Sequence, residues 1–397
     1  MKVLFVTPRY GPEVMGGAES AARLLAEHLA LDVRFEVAAY STCALDDRTW
    51  ANELPAGDSV MNGVALSRFE VPATRQPSFF TLDKQLRRAP RQVSLAQSQR
   101  WLELNGPHVP RLVSAAADGD ADVAVFSPYL FWPTVAGIQA APMPTVLHPA
   151  AHDEPPLYFP AIGDAFVATE ALCYYTAAER RVVQARYRVA EKPQIVLGIG
   201  VDDPTEGGRA GRDILGLGER PYLVSLGRVD DQKGSAMLDA FFRRYKQRRP
   251  GPLALALVGP VASTIEPHPD VVVTGAVDEP TKWDLLRDAM AAVSPSALES
   301  FSIVIMEAWE QSLPVVVNAL CEPTRDHCLR SGGGLWFGSY RQFEVVVDRL
   351  WADADLRRRL GANGKAYVDE HYRWPALTAR YARFLELVVE RGPAAAI

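Results

Sequence analysis

Residues 292–307 of the chain read AVSPSALESFSIVIME, which predicts a short buried strand, a polar turn and a helix. The helix is expected over 301–312, with Ser300 as its N-cap. Amides in the first turn of a helix lack intrahelical partners, and the helix dipole favours an anion there. We therefore expect a phosphate at the helix tip, a diol at Glu307, and Glu299 within reach of a group attached beyond the phosphate. The alternative is a capped core helix with two incidental acids.

Outward from this unit, apolar runs alternate with helical patterns along the whole chain. The alternation runs twice, which predicts an α/β protein of two Rossmann-like parallel-sheet domains. Strands are expected at Lys2–Val6, Phe35–Ala39, Val123–Ser127, Thr145–His148, Ala165–Ala168, Gln194–Leu197, Tyr222–Leu226, Leu253–Val258, Val271–Thr274, Ala292–Ser294 and Pro314–Val317. Helices are expected at 18–29, 177–187, 234–249, 281–290, 301–312, 341–351, 355–370 and 374–390.

The two runs predict two domains and a final crossing helix. The first domain is expected over 1–198 and the second over 199–372, because Gly198–Gly218 holds seven glycines and suits a linker. Residues 373–397 contain an amphipathic helix that is long enough to reach back to the first domain.

Composition limits the class of protein. The chain has 397 residues, of which 48% are apolar and 23% charged, so a disordered or fibrous chain is excluded. The net charge of −6 argues against a general nucleic-acid binder. Four cysteines without zinc-ligand spacing predict a reduced, cytoplasmic protein. The uncharged stretch Val123–Leu147 contains four prolines, so we interpret it as strand and helix rather than a membrane span.

Two cations follow the first strand of the second run. Arg228 and Lys233 lie in the sequence SLGRVDDQKG, at the carboxyl end of a predicted strand, where open α/β sheets bind ligands. They would hold a diphosphate and offset the charge of a departing phosphate. The alternative is a surface loop with two cations.

Loops of the first run carry further candidates. Gly16 and Gly17 precede a helix and allow a ligand to approach the backbone, although their spacing is not that of a dinucleotide fingerprint. His148 and His152 belong to the sequence HPAAHDE after a predicted strand. Pro149 prevents a helix through this loop, which favours a polar sugar-binding loop over a metal site.

One segment interrupts the alternation. Residues 84–102 contain five cations and no acid. The first interpretation is a solvated helical face. The second is a contact for an anionic acceptor or for a membrane surface.

Together these motifs resemble the retaining glycosyltransferases of family 4, the glycosyl transferases group 1, and the resemblance covers almost the whole chain. The matching motifs, in chain order, are Gly16-Gly17-Ala-Glu19, Gly198-Ile-Gly200-Val-Asp202, Gly227-Arg228 to Lys233-Gly234, Glu299 to Glu307 and Leu313-Pro314-Val315-Val316. The chain departs from the family where serine replaces the usual glycine, at Ser300, Ser302 and Ser312, and His152-Asp153-Glu154 resembles an H-D-E variant within the family.

The resemblance implies the GT-B fold, with two domains facing a central cleft, and transfer of a sugar from a UDP-, GDP- or ADP-sugar with retention of configuration. It implies no metal or other cofactor and no nucleic acid. The acceptor would be a glycan, a lipid-linked sugar or a small molecule, and the enzyme would be cytoplasmic, with residues 84–100 as a candidate contact to the inner face of a membrane. Catalytic roles fall to His152, Arg228, Lys233 and Glu299. Donor binding falls to Gly16, Gly17, Arg228, Lys233, Val277, Glu299, Ser302, Ile303 and Glu307. Acceptor binding falls to Tyr129, His148, His152 and Asp153, with either histidine as the acceptor-side histidine and His152 favoured.

Two rival classes remain open at this point. A nucleotide-sugar epimerase of the same fold would need no acceptor. A non-catalytic nucleotide-sugar binding subunit would be expected to lack Glu299 or Lys233, and both are present.

Overall fold

The computed structural model of the protein describes residues 1–14, 16–205 and 207–392. It divides into two compact units, the first comprising residues 1–200 with the chain from Pro375 onward and the second Val201–Trp374. Each unit has its own parallel β-sheet and its own core. This is the predicted α/β architecture with two Rossmann-like sheets.

The first unit is built on an eight-stranded sheet in the order β3-β4-β2-β1-β5-β6-β7-β8. Its strands β5, β6 and β7 are buried throughout, as expected for parallel strands covered by helices on both faces. The strands are β1 Lys2–Val6, β2 Glu36–Thr42, β3 Gly57–Met61, β4 Val64–Phe69, β5 Val123–Phe126, β6 Thr145–Leu147, β7 Ala171–Tyr174 and β8 Gln194–Val196. The helices are α1 Gly17–Leu29, α2 Ser78–Leu86, α3 Leu95–Asn105, α4 Pro110–Asp118, α5 Trp132–Ala140, α6 Pro160–Ala168 and α7 Ala177–Arg186, with 3-10 turns at Pro90–Gln92 and Pro155–Tyr158.

The second unit has six parallel strands in the order β11-β10-β9-β12-β13-β14. Its strands are β9 Tyr222–Leu226, β10 Ala254–Val258, β11 Val271–Gly275, β12 Ala291–Ser294, β13 Val315–Asn318 and β14 Gly334–Phe337. Its helices are α8 Gly211–Ile214, α9 Ser235–Arg248, α10 Glu279–Arg287, α11 Ile303–Glu310, α12 Glu322–Ser331, α13 Tyr340–Ala352 and α14 Ala354–His371. The last helix, α15 Trp374–Arg391, begins at the unit boundary and packs with the first unit.

One predicted strand is wrong. Residues 165–168 form the end of helix α6, and the strand lies three residues later, at β7. The buried residues Ile162, Ala165 and Phe166 are spaced three and four apart, which is helical periodicity. A short apolar run does not by itself distinguish a buried strand from a buried helical face.

The antiparallel hairpin β3–β4 and the elements α12 and β14 were not predicted. Strand β3 is exposed and polar, so it lacks the apolar run of a buried strand. Its turn, however, is Asn62-Gly63 with positive φ at both residues, and this dipeptide is the strongest short-range hairpin signal in a sequence.

The start of α11 also differs from the prediction. The helix begins at Ile303, so the N-cap position belongs to Ser302 and not to Ser300, and the Ser302 side chain makes no capping bond. The reason is Phe301, whose buried ring packs against His327 and Tyr372 at 5.1 Å from each and holds this part of the chain outside the helix. Ser302 has a φ of 73° and Ser312 a φ of 53°, in the left-handed region that favours glycine.

Candidate functional site

The predicted donor residues other than Gly16 and Gly17 lie at one edge of the second sheet. Strands β9 and β12 are neighbours, although β10 and β11 separate them in the sequence. The chain therefore builds outward from β9 in one direction and then crosses to its other side. The place where the strand order changes direction is called a topological switch point, and it lies at the carboxyl ends of β9 and β12. Open α/β sheets bind ligands at such a point.

Lys233 and Glu299 meet across this switch point. The Lys233 ammonium donates to Glu299 Oε1 at 2.7 Å, although the two residues follow different strands. The Lys233 side chain is 40% exposed and that of Glu299 is 17% exposed, so a ligand can still reach the cation. Asp230 orders the same loop, because it accepts from the Lys233 amide at 2.7 Å and from the Arg228 guanidinium.

Close backbone approach explains one glycine of this loop. Gly234 has a φ of 77°, and a Cβ atom there would lie 2.7 Å from the Pro295 carbonyl oxygen. Only glycine therefore allows the loop after β9 to rest against the loop after β12. This contact supports the closeness of Lys233 and Glu299.

Glu307 is hydrogen-bonded to Lys282, a residue that was not predicted to belong to the site. The Lys282 ammonium on α10 donates to Glu307 Oε1 at 2.6 Å and also pairs with Glu279 at 2.6 Å. Burial raises the pKa of Glu307, and the nearby Lys282 partly offsets this effect. Lys282 lies near the start of a helix that follows the carboxyl end of β11. This position at the same sheet edge could have indicated from the sequence that Lys282 belongs to the site.

The other predicted donor residues lie on the same edge. Val277 is half-buried in the segment between β11 and α10. Ser302 and Ile303 form the tip of α11, beyond the carboxyl end of β12. Their amides are at the beginning of a helix, where an anion is stabilised.

In the first unit, the glycine loop after β1 covers a buried ion pair. Arg9 donates through Nε to Glu19 at 3.0 Å, and both side chains are buried. A Cβ atom at Gly16 would lie 2.4 Å from Glu19, so internal packing requires this glycine. A Cβ atom at Gly17 would meet no other atom within 4 Å, so the Gly17 backbone is the part of the loop that a ligand can approach.

His148 belongs to the core of the first unit. Its ring is fully buried, and its Nε2 is hydrogen-bonded to the Tyr381 hydroxyl of α15 at 2.8 Å. Burial lowers the pKa of His148 to about 3, so the ring is neutral near pH 7.

His152 is the more accessible of the two histidines. Its Nδ1 donates to Glu154 at 3.2 Å, and Glu154 also accepts from the buried Tyr129 hydroxyl at 3.0 Å. Burial acts to raise the pKa of Glu154, but the hydrogen bond from His152 and the nearby Arg87 outweigh it, so this pKa lies below its usual value. Because an ionised carboxylate only accepts, Nδ1 of His152 carries the proton of this hydrogen bond.

Hydrogen bonds to two carboxylates, those of Glu179 and Asp153, hold the His152 loop in place. Glu179 is buried and accepts from the amides of Ala151 and Tyr175 at 2.9 and 2.7 Å. Burial raises the pKa of Glu179 to about 7. Asp153 is exposed and accepts from the Tyr158 hydroxyl. The predicted acceptor residues Tyr129, His152 and Asp153 therefore lie close together, and His148 lies behind them in the core.

Within the described residues, no group of three or more histidine, cysteine, aspartate or glutamate side chains is arranged to hold a metal ion. The same part of the chain has no helix that is both long and apolar enough to cross a membrane. All four cysteines are buried and unbridged.

The second unit is similar to a known protein family. Residues 211–367 match the family model for glycosyl transferases group 1. The chain is 29% identical over 186 residues to a GDP-mannose-dependent alpha-(1-6)-phosphatidylinositol monomannoside mannosyltransferase of Mycobacterium tuberculosis, an alignment that covers 43% of this chain and 48% of that protein. The aligned part spans about half the length of the curated relatives that the chain matches.

Solved structures resemble the chain over nearly its full length. The sucrose-phosphate synthase of Thermosynechococcus elongatus superposes with a TM-score of 0.74 at 16% identity, covering 98% of this chain and 99% of that one. Anabaena HepE, solved with UDP and glucose, has a TM-score of 0.70 at 17% identity, with coverage of 97% and 99%. The fold is thus that of these GT-B glycosyltransferase structures, and residues 211–367 are similar to the glycosyl transferases group 1 family.

Proposed function

We propose that the protein is a retaining glycosyltransferase that moves a sugar from a nucleoside diphosphate sugar to an acceptor without a metal ion. The observation that carries this proposal is the Lys233–Glu299 pair at the switch point of a group 1 domain, beside the N-terminus of α11. A cation and a helix tip supply positive charge at the place where a diphosphate would lie, and Glu299 supplies a polar contact for the sugar attached to it.

The remaining donor roles follow from positions at the same edge. The Arg228 guanidinium would give up its hydrogen bond to Asp230 and donate to the diphosphate instead. Glu307 would bind the ribose hydroxyls through its carboxylate, with Lys282 holding that carboxylate in place. Ser302, Ile303 and Val277 would line the nucleotide.

The acceptor side is proposed to use His152 rather than His148. Only His152 reaches the surface, and its Nδ1 bond to Glu154 orients the ring. The acceptor would be a glycan, a lipid-linked sugar or a small molecule. The basic residues 84–100 would contact the inner face of a membrane if the acceptor is lipid-linked.

We propose a front-face displacement for the transfer. The acceptor hydroxyl attacks the anomeric carbon on the face that the nucleotide leaves, and its proton passes to the departing phosphate oxygen. The bond from the anomeric carbon to that oxygen breaks as the new glycosidic bond forms. The protein positions both partners and stabilises the charge of the leaving diphosphate.

The proposed activity is tested in two stages. A thermal-shift screen with UDP, GDP, ADP and dTDP should identify one base that stabilises the full chain, and a ligand at 100 times its Kd adds about 2.7 kcal/mol. Nuclear magnetic resonance of a product formed from the matching donor should then show the donor's anomeric configuration. Stabilisation by none of the nucleotides would contradict the donor site. Release of nucleotide at the same rate without any acceptor would instead favour an epimerase or a hydrolase.

Replacing Lys282 by methionine should make nucleotide binding more sensitive to acid. The ionised Glu307 carboxylate accepts from ribose hydroxyls more strongly than its protonated form, and loss of the Lys282 charge raises the pKa of Glu307 further. Binding should therefore weaken at a higher pH in Lys282→Met than in the unaltered protein, with a loss of about tenfold near neutral pH. The measurement is the nucleotide Kd as a function of pH. The Lys2→Met variant, which loses an exposed cation of the first unit, is the control. An unchanged pH profile in Lys282→Met would show that Lys282 does not act through Glu307.

A further inference from the structure

A pair of guanidinium groups converges on one tyrosine beside the His152 loop. Arg91, in the 3-10 turn Pro90–Gln92, lies over the Tyr158 ring at 4.7 Å from its centre. Arg186, at the end of α7, lies 5.5 Å from the same ring centre. The two cations come from separate parts of the sequence, and both contact the Tyr158 ring.

Neither cation is neutralised by an acid. Among the described residues, no carboxylate lies within 4.0 Å of the Arg91 or Arg186 side chain, whereas Arg87 and Arg100 of the same basic segment pair with Asp83 and Glu103. The carboxylate nearest to this cluster in the hydrogen-bond network is Asp153, which accepts from the Tyr158 hydroxyl. The two guanidinium groups therefore contact aromatic rings and, for Arg186, a backbone oxygen, while no described carboxylate within 4.0 Å balances their charge.

Arg186 is also oriented in advance. Its guanidinium lies 5.4 Å from the centre of the Tyr187 ring, and it donates to the Tyr158 carbonyl oxygen at 3.5 Å. Stacking on aromatic rings holds the plane of a guanidinium while its outer N–H groups remain available, and that fork matches the oxygens of a phosphate.

The place of the cluster connects it to the acceptor loop. Tyr158 closes the 3-10 turn Pro155–Tyr158, which directly follows His152, Asp153 and Glu154. Its hydroxyl is bonded to Asp153, the residue after His152. A phosphate at this cluster would thus lie beside the histidine that the proposed function assigns to the acceptor.

We propose that Arg91 and Arg186, held on Tyr158, form a subsite for a phosphate group carried by the acceptor. This inference rests on the proposed function for the word acceptor, but the phosphate subsite itself is a property of the first unit. The phosphate comes either from a soluble sugar phosphate or from a phospholipid headgroup. The basic segment would thereby bind phosphate through Arg91, together with Arg186 of α7.

The test measures binding to two probes by the full chain. The soluble probe is glucose 6-phosphate, with glucose as its uncharged counterpart. The membrane probe is a vesicle of equal parts phosphatidylcholine and phosphatidylglycerol, with pure phosphatidylcholine as its counterpart. The variants are Arg91→Gln, Arg186→Gln and their combination, and the matched control is Arg100→Gln, which removes a cation of the same segment that is already paired with Glu103.

We expect one phosphate-bearing probe to bind the unaltered protein and the Arg100→Gln variant in a salt-sensitive manner. Each single substitution should weaken that binding by about tenfold, and the double variant should lose more. Loss confined to glucose 6-phosphate identifies a soluble acceptor phosphate, and loss confined to the vesicles identifies a lipid headgroup. Equal binding in all variants, or no binding of either probe to the unaltered protein, would overturn the subsite.

Nucleotide affinity separates this inference from the proposed function. The donor residues lie in the second unit, so the Kd for the nucleotide found in the thermal-shift screen should be the same in all four variants. An unchanged midpoint of thermal unfolding of the first unit shows that the variants are folded. Absence of nucleotide binding in the unaltered protein would refute the donor site and leave the phosphate measurement to stand by itself.

Discussion

Replacing Lys233 by alanine is expected to lower kcat by about 10²–10³-fold, the scale for removing one preorganised group that stabilises developing charge. The Lys233 ammonium lies at the switch point of the second sheet and remains 40% exposed while bonded to Glu299. In the proposed reaction, negative charge grows on the departing phosphate oxygen, and the Lys233 ammonium would stabilise that charge. The measurement is the steady-state rate with saturating donor, as release of nucleotide that depends on acceptor.

The companion variants separate charge from shape. Lys233→Arg keeps a cation at this position and should retain more activity than Lys233→Ala. Lys2→Ala removes a cation from an exposed pair with Asp120 in the first unit and should leave kcat unchanged. A kcat of Lys233→Ala within a few-fold of the unaltered enzyme would remove Lys233 from the mechanism. A product of inverted configuration would refute the retaining assignment whatever the rates.

Between pH 6.5 and pH 5, His327 is expected to lower the free energy of unfolding of the unaltered protein by about 2 kcal/mol, and His327→Gln should abolish this decrease. His327 is buried in the second unit, where its Nδ1 is hydrogen-bonded to the Tyr367 hydroxyl at 3.0 Å. Burial lowers the pKa of His327 to about 3 from its usual 6.5. Below pH 6.5 the unfolded chain takes up a proton that the folded unit does not, so the free energy of unfolding falls as the pH falls.

The measured quantity is the change in the free energy of unfolding between the two pH values, obtained from urea unfolding of the full chain. Hydrogen exchange in β9 and β12 assigns the transition to the second unit. Comparing variant with unaltered protein at both pH values cancels the other titrating groups. Equal pH dependence in the two proteins would mean that the pKa of His327 is the same in the folded and unfolded states, which would contradict this prediction.

Glu179 provides a contrast of opposite sign in the first unit. Its pKa of about 7 lies above the usual 4.5, so the folded unit binds a proton that the unfolded chain has released. This group therefore adds stability as the pH falls from 7 toward 4.5 and loses it as the pH rises. In Glu179→Gln the free energy of unfolding should no longer rise through this group as the pH falls. In His327→Gln, by contrast, it should no longer fall.

The predictable part of the candidate site is its placement at a sheet edge. Arg228, Lys233 and Glu299 could be assigned to carboxyl ends of strands because each follows a short apolar run, and parallel strands end at a common edge. The role of Lys282 could not be predicted in this way, because its partner Glu307 is 25 positions away on another helix. The burial of His148 could not be predicted in this way either, since the Tyr381 hydroxyl hydrogen-bonded to its Nε2 is 233 positions further along the chain.

The sequence by itself determined two runs of buried parallel strands, and it placed β1 and β9 with their observed ends, Lys2–Val6 and Tyr222–Leu226. Such strands can be recognised because burial on both faces demands a continuous apolar run, which is a local property. Only the tertiary structure decided the pairings, among them Lys233 with Glu299 and Arg186 with Arg91 on Tyr158. It also moved the start of α11 to Ile303, because Phe301 packs against His327 and Tyr372. These contacts join distant positions, and no local periodicity encodes them.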